Sequence, residues 1–347
     1  MQRKTLLSIF IMLSAYSFAQ VSSDSLQCTI LKSEFIYEAA PFPSCHASTL
    51  VETEEGLLVA WFGGTHEKHP DVCIYGSALI NGKWSNPLQL ADGIINASRR
   101  HPCWNPVLFR RENGDVILYY KVGRSPSQWW GMFKISDDNG TSWSSAQRIP
   151  GKLLGPIKNK PQLLNDGSIL YPTSFETNAK WRVYVETSAQ DLTQWNKTEI
   201  DNNGFNAIQP TILTYKDGSI QLLCRSQEKK ITETWSHDQG KTWTLMQATE
   251  LPNNNAGIDG LTLRSGIQLL VCNPIVEGRN KLALLASADG KKWRSLVILE
   301  DKYEGEFSYP AIIQDRNGTI HITYTYNREK IRHVSLKIYN DQNREVL

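Results

Sequence analysis

Six segments of the chain open on a polar residue followed by proline or a small residue: His46-Ala, Asn105-Pro, Lys160-Pro, Gln209-Pro, Asp259-Gly and Tyr309-Pro. Imidazole, amide, amine, carboxylate and phenol stand together in that set, an inventory suited to proton transfer and to holding a polar ligand. A second set closes the apolar run that follows each opening: His66 and Asp71 in a long loop, then Lys121, Glu176, Arg225 and Arg328. Arginine forks match a carboxylate. The long loop runs Trp61-Phe-Gly-Gly-Thr-His66-Glu67-Lys68-His69-Pro-Asp71, and loops held by a rigid scaffold are where chemistry concentrates. His66 and His69 have no further clear ligand beside them, so neither a metal nor another cofactor is called for. Arg99-Arg100-His101 leads into Trp104-Asn105, which suits an acidic sugar or a solvated loop alike.

The elements that must position these residues are repeats. A glycine begins an apolar strand-like run at Gly56, Gly114, Gly167, Gly218, Gly266 and Gly318, with steps of 58, 53, 51, 48 and 52 residues. A period near fifty built from strands predicts an all-β, six-bladed β-propeller. From the second residue of each polar opening to its glycine is 9, 8, 6, 8, 6 and 8 residues, enough for a hairpin. The openings then ring one mouth of the central channel, with the strand-end set on the same face. Seven residues separate serine from tryptophan at Ser77 to Trp84, Ser136 to Trp143, Ser188 to Trp195 and Ser236 to Trp243, and Ser287 to Trp293 is one shorter. The best copy, Ser236-His-Asp238-Gln-Gly240-Lys-Thr242-Trp243, is an Asp box, a tight hairpin whose carboxylate binds local N–H groups.

The 347 residues leave no room for a second domain beyond the repeats, and a net charge of +2 carries no nucleic-acid footprint. Arg3 and Lys4 precede an apolar run from Leu6 to Tyr16 and a small-x-small site at Ser17-Phe-Ala19. This predicts a signal peptide over residues 1–19, and a periplasmic or secreted protein without a membrane anchor. Residues 20–40 then form an N-terminal segment closing onto a propeller over 41–347. Cys224 and Cys272 sit at matching strand ends and read as buried thiols. A disulfide of Cys45 with Cys73 or Cys103 stays open.

The Asp boxes, the six repeats and the strand pattern resemble the sialidase (neuraminidase) superfamily, and more narrowly its bacterial BNR or Asp-box repeat group. The resemblance covers residues 45 to about 335. Family sialidases clamp a substrate carboxylate with three arginines, use an aspartate as acid/base, and attack with a tyrosine assisted by a glutamate. The resemblance implies Asp71, six residues before Ser77, as acid/base and Tyr309, in Glu306-Phe-Ser-Tyr309-Pro, as nucleophile. It implies Arg225, in Leu-Leu-Cys-Arg225-Ser, and Arg279, in Arg279-Asn-Lys-Leu, as clamp residues. Two positions depart from the pattern: Ser44-Cys-His46-Ala stands where the first arginine belongs, and Gln209 falls at the assisting glutamate. An amide cannot accept the phenolic proton.

Residues and resemblance together imply an exported exo-glycoside hydrolase acting on a terminal ulosonic or uronic sugar of an oligo- or polysaccharide, other than an ordinary α-linked sialic acid. His46 would be a second catalytic group, able to titrate near neutrality. Lys160, Asn105, Asp259, His66 and Arg328 complete the expected binding ring. The alternatives are a uronate-polysaccharide lyase or rhamnosidase-type propeller using His46 and Tyr309, and a glycan-binding propeller without catalysis.

Overall fold

Each repeat glycine starts the second strand of a blade. The computed structural model describes residues 26–346 apart from 178, 341 and 343, so the signal-like segment and the start of segment 20–40 lie outside the described residues. All the regular elements among them are strands, in six antiparallel sheets around one axis plus a small hairpin at Ile94–Asn96 and Arg99–Arg100. The first blade comprises Ser44–Glu52, Gly56–Gly64 and Cys73–Ile80, with two short outer strands. The next four follow the same inside-to-outside order. The sixth takes Phe307–Gln314, Ile320–Tyr326 and Lys330–Tyr339 from the end of the chain, and its outermost strand, Gln27–Phe35, from the beginning. The repeat period therefore translates into a six-bladed β-propeller of the sialidase type.

No blade buries its faces alone. Six apolar cores lie between successive blades; Val107, Ile117 and Phe133 of the second, for example, pack on Ile169 and Tyr171 of the third. Cys224 and Cys272 are buried in two of these cores, and all six cysteines are free thiols. Cys45 receives a hydrogen bond from the Tyr37 hydroxyl at 3.1 Å instead of a disulfide partner. The Asp boxes are hairpin clasps. In the blade-four copy the Asp238 carboxylate accepts from Thr242 N at 2.8 Å, Thr242 Oγ1 at 2.6 Å and Ser236 Oγ at 2.9 Å, while Trp243 Nε1 donates to Gly240 O at 3.0 Å. Gly240 supplies the φ of 81° that the turn needs.

One feature of the innermost strands sets up the site. The register between first and second strands slips at one place in blades one, two, four and six. Within each slip one residue has a left-handed backbone: Ala47 (φ 58°), Asn105 (φ 21°), Gln209 (φ 53°) and Tyr309 (φ 54°). A bulge of this kind re-aims a side chain.

Candidate functional site

The pairing register corrects the expected ring. Thr49, Val107, Thr211, Asp259 and Ala311 pair with the residue four or five beyond the glycine of their blade, so they are equivalent. Counting two residues back, the true mouth positions are Ala47, Asn105, Lys158, Gln209, Gly257 and Tyr309. His46 therefore lies one residue, and Lys160 and Asp259 two residues, out of the expected register. The reason is physical in the case of Asp259. Its carboxylate accepts Ile312 N of the next blade at 3.0 Å, as Thr49 Oγ1 accepts Leu108 N at 3.0 Å and Thr211 Oγ1 accepts Gly260 N at 2.9 Å. Asp259 is a stitch between inner strands, and Lys160 Nζ pairs with it at 2.9 Å inside the channel.

Around the mouth the structure brings together His46, Gln209, Arg225, Arg279, Arg328 and Tyr309. Arg225 Nη1 donates to the Tyr309 hydroxyl at 2.6 Å and to Gln209 Oε1 at 3.2 Å, and Arg225 Nε donates to Asn255 Oδ1 at 3.0 Å. Gln209 thus touches the arginine that holds the phenol. The Arg225 and Arg279 guanidinium carbons lie 5.6 and 5.8 Å from the Tyr309 ring centre, and the Trp181 ring is 5.6 Å from Arg225. The His46 ring centre is 4.1 Å from that of Tyr309, and His46 Nδ1 lies 3.0 Å from Thr325 Oγ1, while its Nε2 has no partner among the described residues. Arg279 and Arg328 share Glu306, at 2.7 and 3.0 Å, and Arg328 reaches Glu67 of the long loop at 2.5 Å.

Arg328 stands beside the segment from which the first arginine is missing. Its carbonyl accepts Cys45 N at 2.7 Å, so the side chain springs from the sixth blade beside the segment where that arginine is absent. Three arginines and Lys158 then surround one imidazole. Burial, followed by Arg328, Arg279, Arg225 and Lys158, holds His46 well below its ordinary value and therefore neutral. Lys158 was not singled out from the sequence. It donates to Ile258 O at 3.0 Å, to Asn159 Oδ1 at 2.9 Å and to Pro310 O across the channel, and burial drives its amine down to about 7. Glu306, Glu67 and Trp181 were passed over too. Glu306 sits in the quoted Tyr309 motif, which was the available signal.

Asp71 is half exposed on the long loop. Burial alone would raise its carboxyl, but Thr65 N at 3.0 Å, Thr65 Oγ1 at 2.6 Å and His69 Nδ1 at 2.8 Å outweigh it and hold the group at about 2. No hydrogen bond joins it to Tyr309 among the described residues; the loop is tied to the mouth through Glu67 and Arg328. His66 is exposed, its Nδ1 2.9 Å from Glu67 O. Asn105 is buried at its bulge. Arg100 binds Asp71 O at 2.9 Å and Cys73 Sγ at 2.8 Å, so that basic residue braces the loop. Burial raises Glu176, which faces Arg225, Glu67 and Lys68.

Residues 55–322 match the family model described as a BNR repeat-like domain. The chain belongs to the BNR repeat-like family. Its BNR propeller is similar to the Hadza microbial sialidase Hz136, with a TM-score of 0.74 at 15% identity over 87% of this chain and 68% of that one. It is also similar to the NanB sialidase of Streptococcus pneumoniae, with a TM-score of 0.69 at 11% identity over 89% and 71% of the two chains. A protein of unknown function from Dyadobacter fermentans aligns over 89% of this chain and 98% of its own, with a TM-score of 0.73 at 15% identity. No curated protein matches the sequence. At such identities the structural likeness concerns the fold.

Proposed function

We propose that this BNR propeller is an exo-glycosidase acting on a terminal sugar that bears a carboxylate. One observation carries the reading: Arg225, Arg279 and Arg328 converge on a mouth whose phenol, Tyr309, is held by Arg225 at 2.6 Å. A carboxylate entering there meets charge-assisted donors on several sides. In this reading the Tyr309 oxygen bonds to the anomeric carbon as the bond to the leaving-group oxygen breaks. Asp71 delivers a proton to that oxygen, and the phenolic proton passes to His46. Water then attacks the anomeric carbon, Asp71 takes its proton, and Tyr309 recovers its own. The sugar's carboxylate would offset the cationic field that keeps His46 neutral, so His46 becomes a better acceptor only when an acidic sugar is bound.

A second reading is favoured by the same neutral imidazole. With a uronate carboxylate neutralised by the arginines, His46 would take the proton beside that carboxylate and Tyr309 would protonate the departing oxygen, leaving an unsaturated sugar. Incubation with uronate-capped and ulosonate-capped oligosaccharides separates the two. Release of a saturated terminal acid supports the hydrolase, and a new ultraviolet absorbance supports the lyase. Absence of both products across such substrates rejects catalysis, and cleavage of neutral sugars alone rejects the carboxylate requirement. Export to the periplasm or medium belongs to this proposal, tested by the mass of the mature protein's first residue.

A further inference from the structure

A groove of about 530 Å³ runs between the second and third blades, apart from the axial mouth. Trp129, Trp130 and Phe175 line it, with Arg148, Lys152 and Arg182. Phe175 is 42% exposed, a large apolar ring left in solvent. The Arg148 guanidinium lies 5.2 Å from the Trp130 ring centre. The side chains of Arg148, Lys152 and Arg182 have neither an ion pair nor a hydrogen bond among the described residues, whereas Lys197 at the far wall is neutralised by Glu199 at 2.6 Å. Aromatic faces beside unpaired cations match a sugar ring that carries a negative charge.

The groove opens on the same face as the arginine cluster. Its walls include Pro126, Ser127 and Trp129, from the loop joining the second and third strands of blade two, and Phe175 and Arg182, paired at the adjoining ends of the same two strands of blade three. Arg225, Arg279 and Arg328 sit at the same end of theirs. Phe175 pairs with Arg182 and lines the groove, and the next pair, Glu176 with Trp181, points the other way, toward Arg225. One blade edge therefore separates groove from mouth. The wall at Leu154 is pinned from below: the buried Glu186 carboxylate accepts Leu154 N at 3.0 Å and Gly155 N at 2.7 Å. This is a preformed surface.

We propose that the groove is a second binding site for an acidic sugar, occupied by a further uronate-type residue of the glycan whose end enters the axial mouth. Binding by the groove stands without the proposed catalysis; only the shared glycan rests on it.

The test uses the full chain, tetragalacturonate, and its neutral methyl ester, with tryptophan fluorescence as the readout because Trp129 and Trp130 line the groove. Tetragalacturonate is expected to change the emission with a Kd near ~1 mM at moderate salt. The double variant Arg148→Gln with Arg182→Gln should weaken this by about tenfold or more, since two charge-assisted contacts are lost. Phe175→Ala, at an exposed position, should weaken it several-fold. Arg225→Gln should abolish turnover and weaken the titration only through the mouth, leaving an emission change that still depends on Arg148 and Arg182, which keeps failure of the groove distinct from failure of the active site. Absence of any emission change, equal binding of the methyl ester, or unchanged affinity in the double variant would overturn the proposal.

Discussion

Tyr309 holds a backbone conformation that L-residues avoid, at a strain of order 1–3 kcal/mol, and it does so where Arg225 and Arg279 flank its ring. Its ring leans on Gly257: a β-carbon there would come within 3.3 Å of the tyrosine ring and 3.4 Å of Lys158 Cε. Gly257→Ala should displace the ring by a few tenths of an ångström and lower kcat roughly tenfold with the melting temperature little changed, because small misplacements at a reacting centre are costly. Equal kcat in the two proteins would show that the ring's seat is immaterial. Tyr309→Phe should cost about a hundredfold or more. Asp71 carries its own pH signature. A carboxyl held near 2 is ionised in the free protein, so its proton-bearing form dwindles as pH rises. With a leaving group that needs protonation, kcat/KM should fall about tenfold per pH unit through the acid range, and Asp71→Ala should remove most of the rate. With an activated nitrophenyl leaving group the fall should vanish. A flat profile on the demanding substrate would exclude Asp71 as donor.

At the scale of elements, the N-terminal strand is held to the last blade by a buried chain of side chains. Glu34 Oε1 lies 3.3 Å from His333 Nδ1, His333 Nε2 lies 3.0 Å from His321 Nδ1, and His321 Nε2 lies 3.2 Å from Asp315 Oδ2. Burial, then the neighbouring His321, holds His333 down at about 4 despite the Glu34 carboxylate, and burial lowers His321 against Asp315 and Glu52. Above the ordinary histidine range neither state binds a proton, so nothing is lost. As pH falls from about 6.5 toward 4 the unfolded chain takes up protons that the folded one refuses, and His333 alone removes about 3 kcal/mol over that window. Denaturant midpoints measured from pH 7 to pH 4.5 should drop steeply in the wild type and less so in His333→Gln. Parallel slopes would exclude His333 as the cause.

The bulges show how far strands could be read from residues alone. Prolines at 106, 210 and 310 all stand eight residues before their glycine, and so does Ser48 before Gly56. That interval was sufficient to place Ala47, not His46, in line with Asn105, Gln209 and Tyr309. In blades three and five Pro161 and Gly260 stand only six residues before theirs, and the missing two residues are what moved Lys160 and Asp259 down the channel. The Asp boxes and the blade count were legible because they are local or periodic. The position of Arg328 beside Cys45 was not, because it depends on which blades are neighbours after the ring closes. Lys158 was hidden by a sequence, Gly-Pro-Ile-Lys-Asn-Lys, in which the second lysine stands before proline and imitates the motif.

The whole molecule is a closed ring, and its closure has a cost in time. Strand Gln27–Phe35 has its partner in Lys330–Tyr339, with Phe35 opposite Arg332. A ribosome makes the one long before the other, with five blades between them. Throughout synthesis the early strand waits with an unsatisfied edge, the kind of edge that recruits other chains. Apolar residues of blades five and one, such as Leu284 and Val59, also wait for blade six to bury them. A chain stopped after residue 326 would carry five complete blades and still be expected to sediment as aggregate, where the full chain stays monodisperse. Recovery of that truncated chain as a soluble monomer would refute this. Any cell that produces this propeller must therefore keep the growing polypeptide apart from its copies until strand Lys330–Tyr339 arrives.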